Sequence, residues 1–482
     1  MSKDAAPTNP SACGGNDPAG KSMLGCCPKD FVLSPCRIVQ VGAMLNISAT
    51  ELVGASGGTF DWSTSSGKIT LDNARSPTVT VKAGASVSAS RGAETITVTR
   101  KAKGCPDIVK VASVTVAKVT FSAAGGQRYG YDDFDTPINS LDDHVSIKKS
   151  DYTLLHVKIE GGALGTDFDF VCDDPSLCTV VPPTAVAEFD LRLDAGAENK
   201  KASDLHAVVK CPGAASFARI KVHVYKENVV DVVVAKFDKT TAGTNLRFPT
   251  ADYASHATPA NAKLKEAVVK YNITNFSSTN AVTPVNLAGG AATVTFDIAA
   301  GGGADLTAIG AAMTGTGTKV RVAIIRDMKS VYFLSAATAV GATTVTVTGS
   351  STFFQVGNTP PVGTGANREN ITITALSGNT ITCAPLTKAH AVGEAIEFPA
   401  AGWSSDPILI IEGAASLDVT KWTVLHEVGH RALTLADIID TTDFMHFSQS
   451  WTDYRLRHCP RTKNYPAGTT NTEDQWETIP RI

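Results

Sequence analysis

Nowhere in the 482 residues is there an apolar run of the roughly 18 residues that a bilayer-spanning helix needs. Net charge is nearly absent too. Forty-three Lys and Arg stand against 46 Asp and Glu, a formal −3, so no electrostatic pull toward nucleic acid or an anionic membrane is expected. Methionine (6) and tryptophan (5) are scarce, and aromatics reach only 7%. Met1 to Pro10 is polar and lacks the apolar stretch of a Sec-type signal peptide, so export would need another route.

What is present points to an ordinary folded chain. Apolar residues make up 43% and charged residues 18%, and the length suggests roughly three domains of about 150 residues. Abundant Gly, Ala, Thr and Val favour many short strands joined by tight turns. The ten cysteines are an even number, which favours disulfides over free thiols or a metal site. Cys172 and Cys178 could close a small loop. Cys13, Cys26, Cys27 and Cys36 crowd the N-terminus without a CxxC spacing. Disulfides in turn imply an oxidising destination.

Residues 1–36, rich in Pro, Gly and Cys, read as an irregular segment. Between 37 and 118, short alternating runs such as Thr59-Phe-Asp-Trp-Ser and Thr78-Val-Thr-Val-Lys are separated by turn residues, the spacing of a β-sandwich with Trp62 in its core. The runs Phe60-Asp-Trp-Ser and Ser76-Pro-Thr-Val-Thr-Val make this stretch similar to bacterial immunoglobulin-like modules, which implies a spacer or adhesive role. Residues 119–226 read as a second sandwich. In it Asp132, Asp133, Asp135, Asp142 and Asp143 lack EF-hand spacing and read as a solvated acidic loop rather than a Ca²⁺ site.

From 227 to 482 the pattern is mixed. Val229 to Ala235, Lys319 to Ile325 and Pro407 to Ile411 read as buried strands, and Pro259 to Tyr271 as a helix with Leu264, Val268 and Tyr271 on one face. Residues 336–398 form a β-rich insertion that looks like small modules of phage structural proteins, on Ala339-Val-Gly-Ala-Thr-Thr-Val-Thr-Val and Leu386-Thr-Lys-Ala-His-Ala-Val-Gly.

The chemistry concentrates in Lys421-Trp-Thr-Val-Leu-His-Glu-Val-Gly-His. Positions i and i+4 of a helix share one face, so His426 and His430 can reach one Zn²⁺ while Glu427 stands beside the metal's open position as general base. Val424, Leu425, Val428 and Leu433 make the helix a buried one, with Asp418 as its N-cap. Glu427 would take a proton from the attacking water.

From His426 to Phe447 the segment resembles a metzincin-type zincin, a family in which the HExxH helix ends, the chain turns to deliver a third ligand, and a Met-turn lies beneath the metal. Asp443-Phe-Met-His-Phe is similar to that Met-turn, with Met445 as its base. The resemblance implies a zinc peptidase acting on protein or peptide. Three departures stand out: Leu433 replaces the family's Gly, Ala436 occupies the third-ligand position, and Phe447 replaces a Tyr. Asp437, one residue later, is the first candidate for third ligand, followed by Asp440, Asp443, His446 and Asp453. On an unbroken helix Asp437 would lie about 10 Å along the axis from His430, so the helix must end near Leu433 or Thr434. Tyr454, Arg455 and His458 follow the Met-turn and read first as packing or surface residues, second as oxyanion stabilisers. Gly15-Asn-Asp-Pro-Ala-Gly-Lys-Ser matches a phosphate-binding loop letter for letter. It lacks a strand before and a helix after, so nucleotide binding is not expected.

The sequence thus describes a multi-domain chain: N-terminal all-β sandwich modules, then an α+β zincin-like metallopeptidase domain with a β-rich insertion. The missing signal peptide and the phage-like segment suggest a toxin or effector exported by a secretion or contractile injection apparatus, cytoplasmic until delivery. The rival is a structural or adhesive protein whose zincin domain is degenerate.

Overall fold

The computed structural model describes residues 30–52, 58–103, 105–132, 143–197, 201–211, 215–237, 257–275, 294–313, 315–325, 328–351, 353–398, 402–411, 417–436, 445, 461–462, 472–473 and 475–480. The chain divides into two compact units, Met1–Val224 and Tyr225–Ile482.

The first unit starts with β1 (Phe31–Leu33), β2 (Ile38–Gln40), β3 (Met44–Glu51), β4 (Thr59–Thr64), β5 (Ile69–Asp72), β6 (Thr78–Ala83), β7 (Glu94–Lys101) and β8 (Ile108–Ala123). Alternate residues of β6 and β7 point inward, as the Val-x-Val and Ile-x-Val spacing demands. One sheet runs β1-β3-β6-β5 and the facing one includes β8-β7-β4. That is the ABED and GFC order of an immunoglobulin-type sandwich. Trp62 is 5% exposed in the core between the sheets, and its indole Nε1 donates to the Ser76 carbonyl at 2.8 Å. β1 lies inside the segment that composition marked as irregular.

The second sandwich adds β9 (Tyr131–Asp132), β10 (His144–Lys148), β11 (Tyr152–Glu160), β12 (Phe168–Cys172), β13 (Cys178–Val180), β14 (Glu188–Ala195), β15 (Lys201–Val209) and β16 (Ser216–Tyr225). Its sheets are β8-β11-β14-β13 and β12-β15-β16-β10-β9, the same order with β8 as first strand. β8 therefore belongs to both sandwiches. Ile108–Val114 pair with β7, Thr115–Ala117 with β2, and Lys118–Ala123 with β11. Residue 118, read as a module boundary, sits inside a continuous strand. The Cys172–Cys178 disulfide is formed, and Cys36 is joined to Cys211. Of the acidic loop, Asp133, Asp135 and Asp142 lie outside the described residues. Asp132 is not solvated but buried on β9, and Asp143 accepts a hydrogen bond from the Tyr131 hydroxyl at 2.7 Å.

The second unit is built on β17 (Asn228–Phe237), α1 (Ala257–Leu264), β18 (Val269–Asn275), β19 (Val294–Asp297), α2 (Gly303–Ala312) and β20 (Val320–Ile325). β21 (Met328–Phe333), parallel to β19, leads into the insertion: β22 (Thr344–Thr346), β23 (Pro361–Val362), β24 (Glu369–Asn370), β25 (Ile373–Ser377), β26 (Thr380–Cys383) and β27 (Ala395–Phe398). The chain then returns as β28 (Gly402–Trp403), β29 (Ile408–Ile411) and α3 (Leu417–Leu433). The main sheet has the order β18-β17-β20-β29-β28. All its pairs are parallel except β28 with β29. Val233, Ala235, Ala323 and Leu409 cover one face together with α2, and α3 packs on β20, β28 and β29.

The helix expected to run to Tyr271 is shorter. Val268 adopts φ +55°, ending it, and Val269 to Asn275 form a parallel strand beside β17. The β-branched run Val268-Val269 serves the sheet better than a helix. Asn261 then caps this edge strand: its amide donates to the Tyr271 carbonyl (2.9 Å) and accepts from the Tyr271 N–H (2.6 Å).

The insertion has its own core of Val345, Phe354, Ile373, Ile381 and Ile396, and β21 pairs antiparallel with β27 to close its ends. Inside it, the fully buried ring of His390 bridges Glu394 (2.8 Å) and Glu369 (2.9 Å). Gly363 at φ +78° leaves room for the pair, since a Cβ there would come 2.9 Å from the His390 ring and from Glu394. Burial alone would raise the Glu369 carboxyl. Hydrogen bonds from the Thr387 hydroxyl and amide, His390 and the Lys388 amide outweigh it and hold Glu369 at about 2, below its ordinary 4.5. The folded-state value is depressed, so the stabilisation is complete above about 4.5 and is lost as pH falls toward 2. Denaturation midpoints measured across that window should fall for the native chain, and a Glu369→Gln variant should lack that part of the drop.

Candidate functional site

α3 follows β29 directly in the chain and lies on the sheet, with Trp422 to Gly429 buried all round. A helix buried on every side must be apolar on every side or pair its polar groups. Val424, Leu425 and Val428 meet the first condition, while buried Thr420, Thr423, His426 and Glu427 are the polar exceptions. Asp406 helps to seat the helix: its carboxylate meets Arg321 of β20 at 2.8 Å and Arg431 of α3 at 3.6 Å. The helix begins at Leu417, so Asp418 lies in its first turn and is not its N-cap.

His426 and His430 converge. Their Nε2 atoms are 3.1 Å apart and their rings lie at 89° to each other. Two nitrogens bound at 2.0–2.1 Å to one tetrahedral zinc would be separated by about 3.3 Å. His430 Nδ1 lies 2.7 Å from the Leu435 carbonyl, a bond in which the ring must be the donor. In the neutral ring that leaves a lone pair on Nε2, the atom aimed at His426. Glu427 is 9% exposed, on the same helix.

The helix stops where the spacing argument requires. Leu433 is its last residue, Thr434 takes φ +58°, and the Leu435 N–H donates back to the Gly429 carbonyl at 3.3 Å. Thr434 Oγ1 donates to the Leu433 carbonyl at 2.7 Å. A β-branched residue in the left-handed region is strained, by roughly 1 kcal/mol. Thr434→Gly is accordingly expected to raise stability by about 0.5–1 kcal/mol with metal content unchanged, readable as a shift in denaturation midpoint.

Met445 is fully buried. Asp437, Asp440, Asp443, His446, Phe447, Asp453, Tyr454, Arg455 and His458 lie outside the described residues, as do Gly15 to Ser22. Among the described residues, a cluster that sequence reading missed brings one ligand atom each from Asp173, Asp204 and His206 within 4.8 Å. The Asp204-x-His206 alternation on β15 was its only visible signal. These groups already meet one another and their neighbours: His206 Nε2 lies 3.3 Å from Asp173, Ser216 lies 3.1 Å from its Nδ1, and Arg219 lies 3.6 Å from Asp204. This is a partly exposed chain of ion pairs, of the kind that contributes little.

No protein-family model and no curated protein matches the chain. Solved structures do match in part. The tandem Ig repeats of Dlar share 10% identity over 41% of this chain and 97% of theirs, with a TM-score of 0.17. The fibronectin(III)-like modules of CbhA from Clostridium thermocellum share 14% over 41% and 94%, with a TM-score of 0.20. The insect immune protein hemolin shares 11% over 42% and 46%, with a TM-score of 0.18. At such scores the sandwich assignment rests on the chain's own strand pairing.

Proposed function

We propose that the second unit is a zinc-dependent peptidase of zincin type, with His426 and His430 as ligands and Glu427 as general base. The observation that carries this reading is the 3.1 Å approach of the two Nε2 atoms, with the far nitrogen of His430 tied to a backbone carbonyl. Such a tie is the usual way a ligand imidazole is oriented. The donor set, two imidazoles beside a carboxylate, suits zinc.

The left-handed turn adds support. The family's pattern puts the turn at position 433 and the third ligand three residues later. Here the turn is at Thr434, and Asp437 again lies three residues beyond it. One inserted residue displaces both together, which favours Asp437 as third ligand.

When bound, zinc would polarise the scissile carbonyl and make a nearby water more acidic. Glu427 accepts that water's proton as it attacks, then hands it to the departing amine. Among the described residues β28 forms one edge of the main sheet, next to α3, while on the opposite edge Asn261 occupies the Tyr271 N–H and carbonyl. An extended peptide could add to β28 as one more strand, so the proposed substrate is an unfolded or extended segment of protein. The disulfides Cys36–Cys211 and Cys172–Cys178 suit an oxidising destination and hence an exported effector.

The test is hydrolysis of a peptide library by the full chain. Cleavage should stop with a chelator and return with about one equivalent of zinc. A chain that holds zinc and cleaves nothing would favour the structural, degenerate reading.

A further inference from the structure

We propose that the two sandwiches act as one rigid strut whose junction is locked, or left free, by the redox state of Cys36 and Cys211. The inference is independent of the peptidase reading.

Tandem modules are usually joined by a linker, and flexing there is the default. Here there is none, because β8 ends one sandwich and begins the next. A single strand can still bend between two cores. What prevents bending is β2, laid parallel on Thr115–Ala117 at the point where β8 passes from one sheet pair to the other. β2 has a side in each module: Val39 is part of the first core, and Ile38 packs against the second. Gln40 Nε2 donates to the Phe217 carbonyl of the second sandwich at 2.8 Å. Gly162 meets the Ser90–Arg91 backbone so closely that a Cβ would come within 2.1 Å of Arg91 N.

A strand of three paired residues is a weak splint by itself. Cys36, two residues before it, is bonded to Cys211, two residues beyond the end of β15, with the Cα atoms 5.5 Å apart and a sequence separation of 175. The bond pins the splint to the second sandwich. Locking needs an oxidant of the disulfide class. The two thiols lose two protons and two electrons, an S–S bond forms between Cys36 and Cys211, and the oxidant's own S–S bond is reduced to two thiols. A chain made in a reducing compartment would therefore carry a hinged pair of modules, and the same chain after oxidation a stiff one.

Spin labels introduced as unnatural amino acids at exposed Lys103 and Lys149, toward opposite ends of the pair, read this directly in the full chain. The oxidised protein should give one narrow distance distribution. The Cys36→Ser/Cys211→Ser protein should give a distribution at least about twofold wider, and Gln40→Ala should widen it further in that background. A Cys172→Ser/Cys178→Ser control should stay narrow. Should the double serine protein fold poorly, hydrogen exchange at β2 in the oxidised chain before and after mild reduction replaces it, with protection expected to fall about tenfold. A broad distribution in the oxidised chain, no change on loss of the Cys36–Cys211 bond, or equal broadening in the control would overturn the proposal.

Discussion

Glu427→Gln is expected to lower kcat/KM for peptide hydrolysis by about 10²- to 10⁴-fold, the usual worth of a positioned general base. That loss corresponds to roughly 3–5 kcal/mol of transition-state stabilisation. Gln has nearly the shape of Glu and can still donate and accept hydrogen bonds, but it cannot take a proton from water. The loss should therefore fall on kcat with KM little changed, because the base acts only in the transition state. Zinc content should stay the same, since the proposed ligands are His426 and His430. Glu427 is buried on a helix packed all round, so the substitution should be read against the variant's thermal melt. A normal melt with lost activity assigns the effect to proton transfer; full activity with zinc bound would remove Glu427 from the mechanism.

His430→Ala should have the largest effect on the metal. Removing an outer partner of a metal ligand typically costs about 10- to 100-fold in affinity, and removing the ligand itself should cost more. His430 does two things at once, offering Nε2 toward His426 and holding the turn through Nδ1 and the Leu435 carbonyl. Its loss should thus empty the site and loosen the segment that leads toward Asp437. Zinc is expected to fall from about one per chain to under roughly a tenth. Added zinc is expected to raise the melting temperature of this unit in the parent chain and no longer to do so in the variant. Retention of the full zinc complement would place the metal elsewhere, most plainly among the cysteines.

Much of this was readable in the residues because it rested on periodicity. The i, i+4 spacing of His426 and His430 and the apolar residues between them require a buried helix with both imidazoles on one side, and α3 has that form. The need to end it near Thr434 came from distance alone, and φ +58° at that residue agrees. Short alternating runs likewise located Trp62 and most strands of the sandwiches.

The failures share a cause: local pattern does not say which partner an element takes. Nothing in the alternation of Val109 to Phe121 tells that one strand serves two sandwiches, so residue 118 looked like a boundary. Val268 to Tyr271 fits a helical face and a strand equally well, and pairing with β17 decides for the strand. Asp132 reads as one acid among several, whereas the fold buries it beside β10. Cys172 and Cys178 could be paired because they are near in sequence, but Cys36 and Cys211 could not, being 175 residues apart.

X-ray absorption at the zinc edge, on the full chain purified without added metal, probes the heart of the account. It should find about one zinc per chain with two imidazole nitrogens at about 2.0–2.1 Å and the remaining ligands oxygen. A chain devoid of zinc, or an ion held through sulfur at about 2.3 Å, would contradict it.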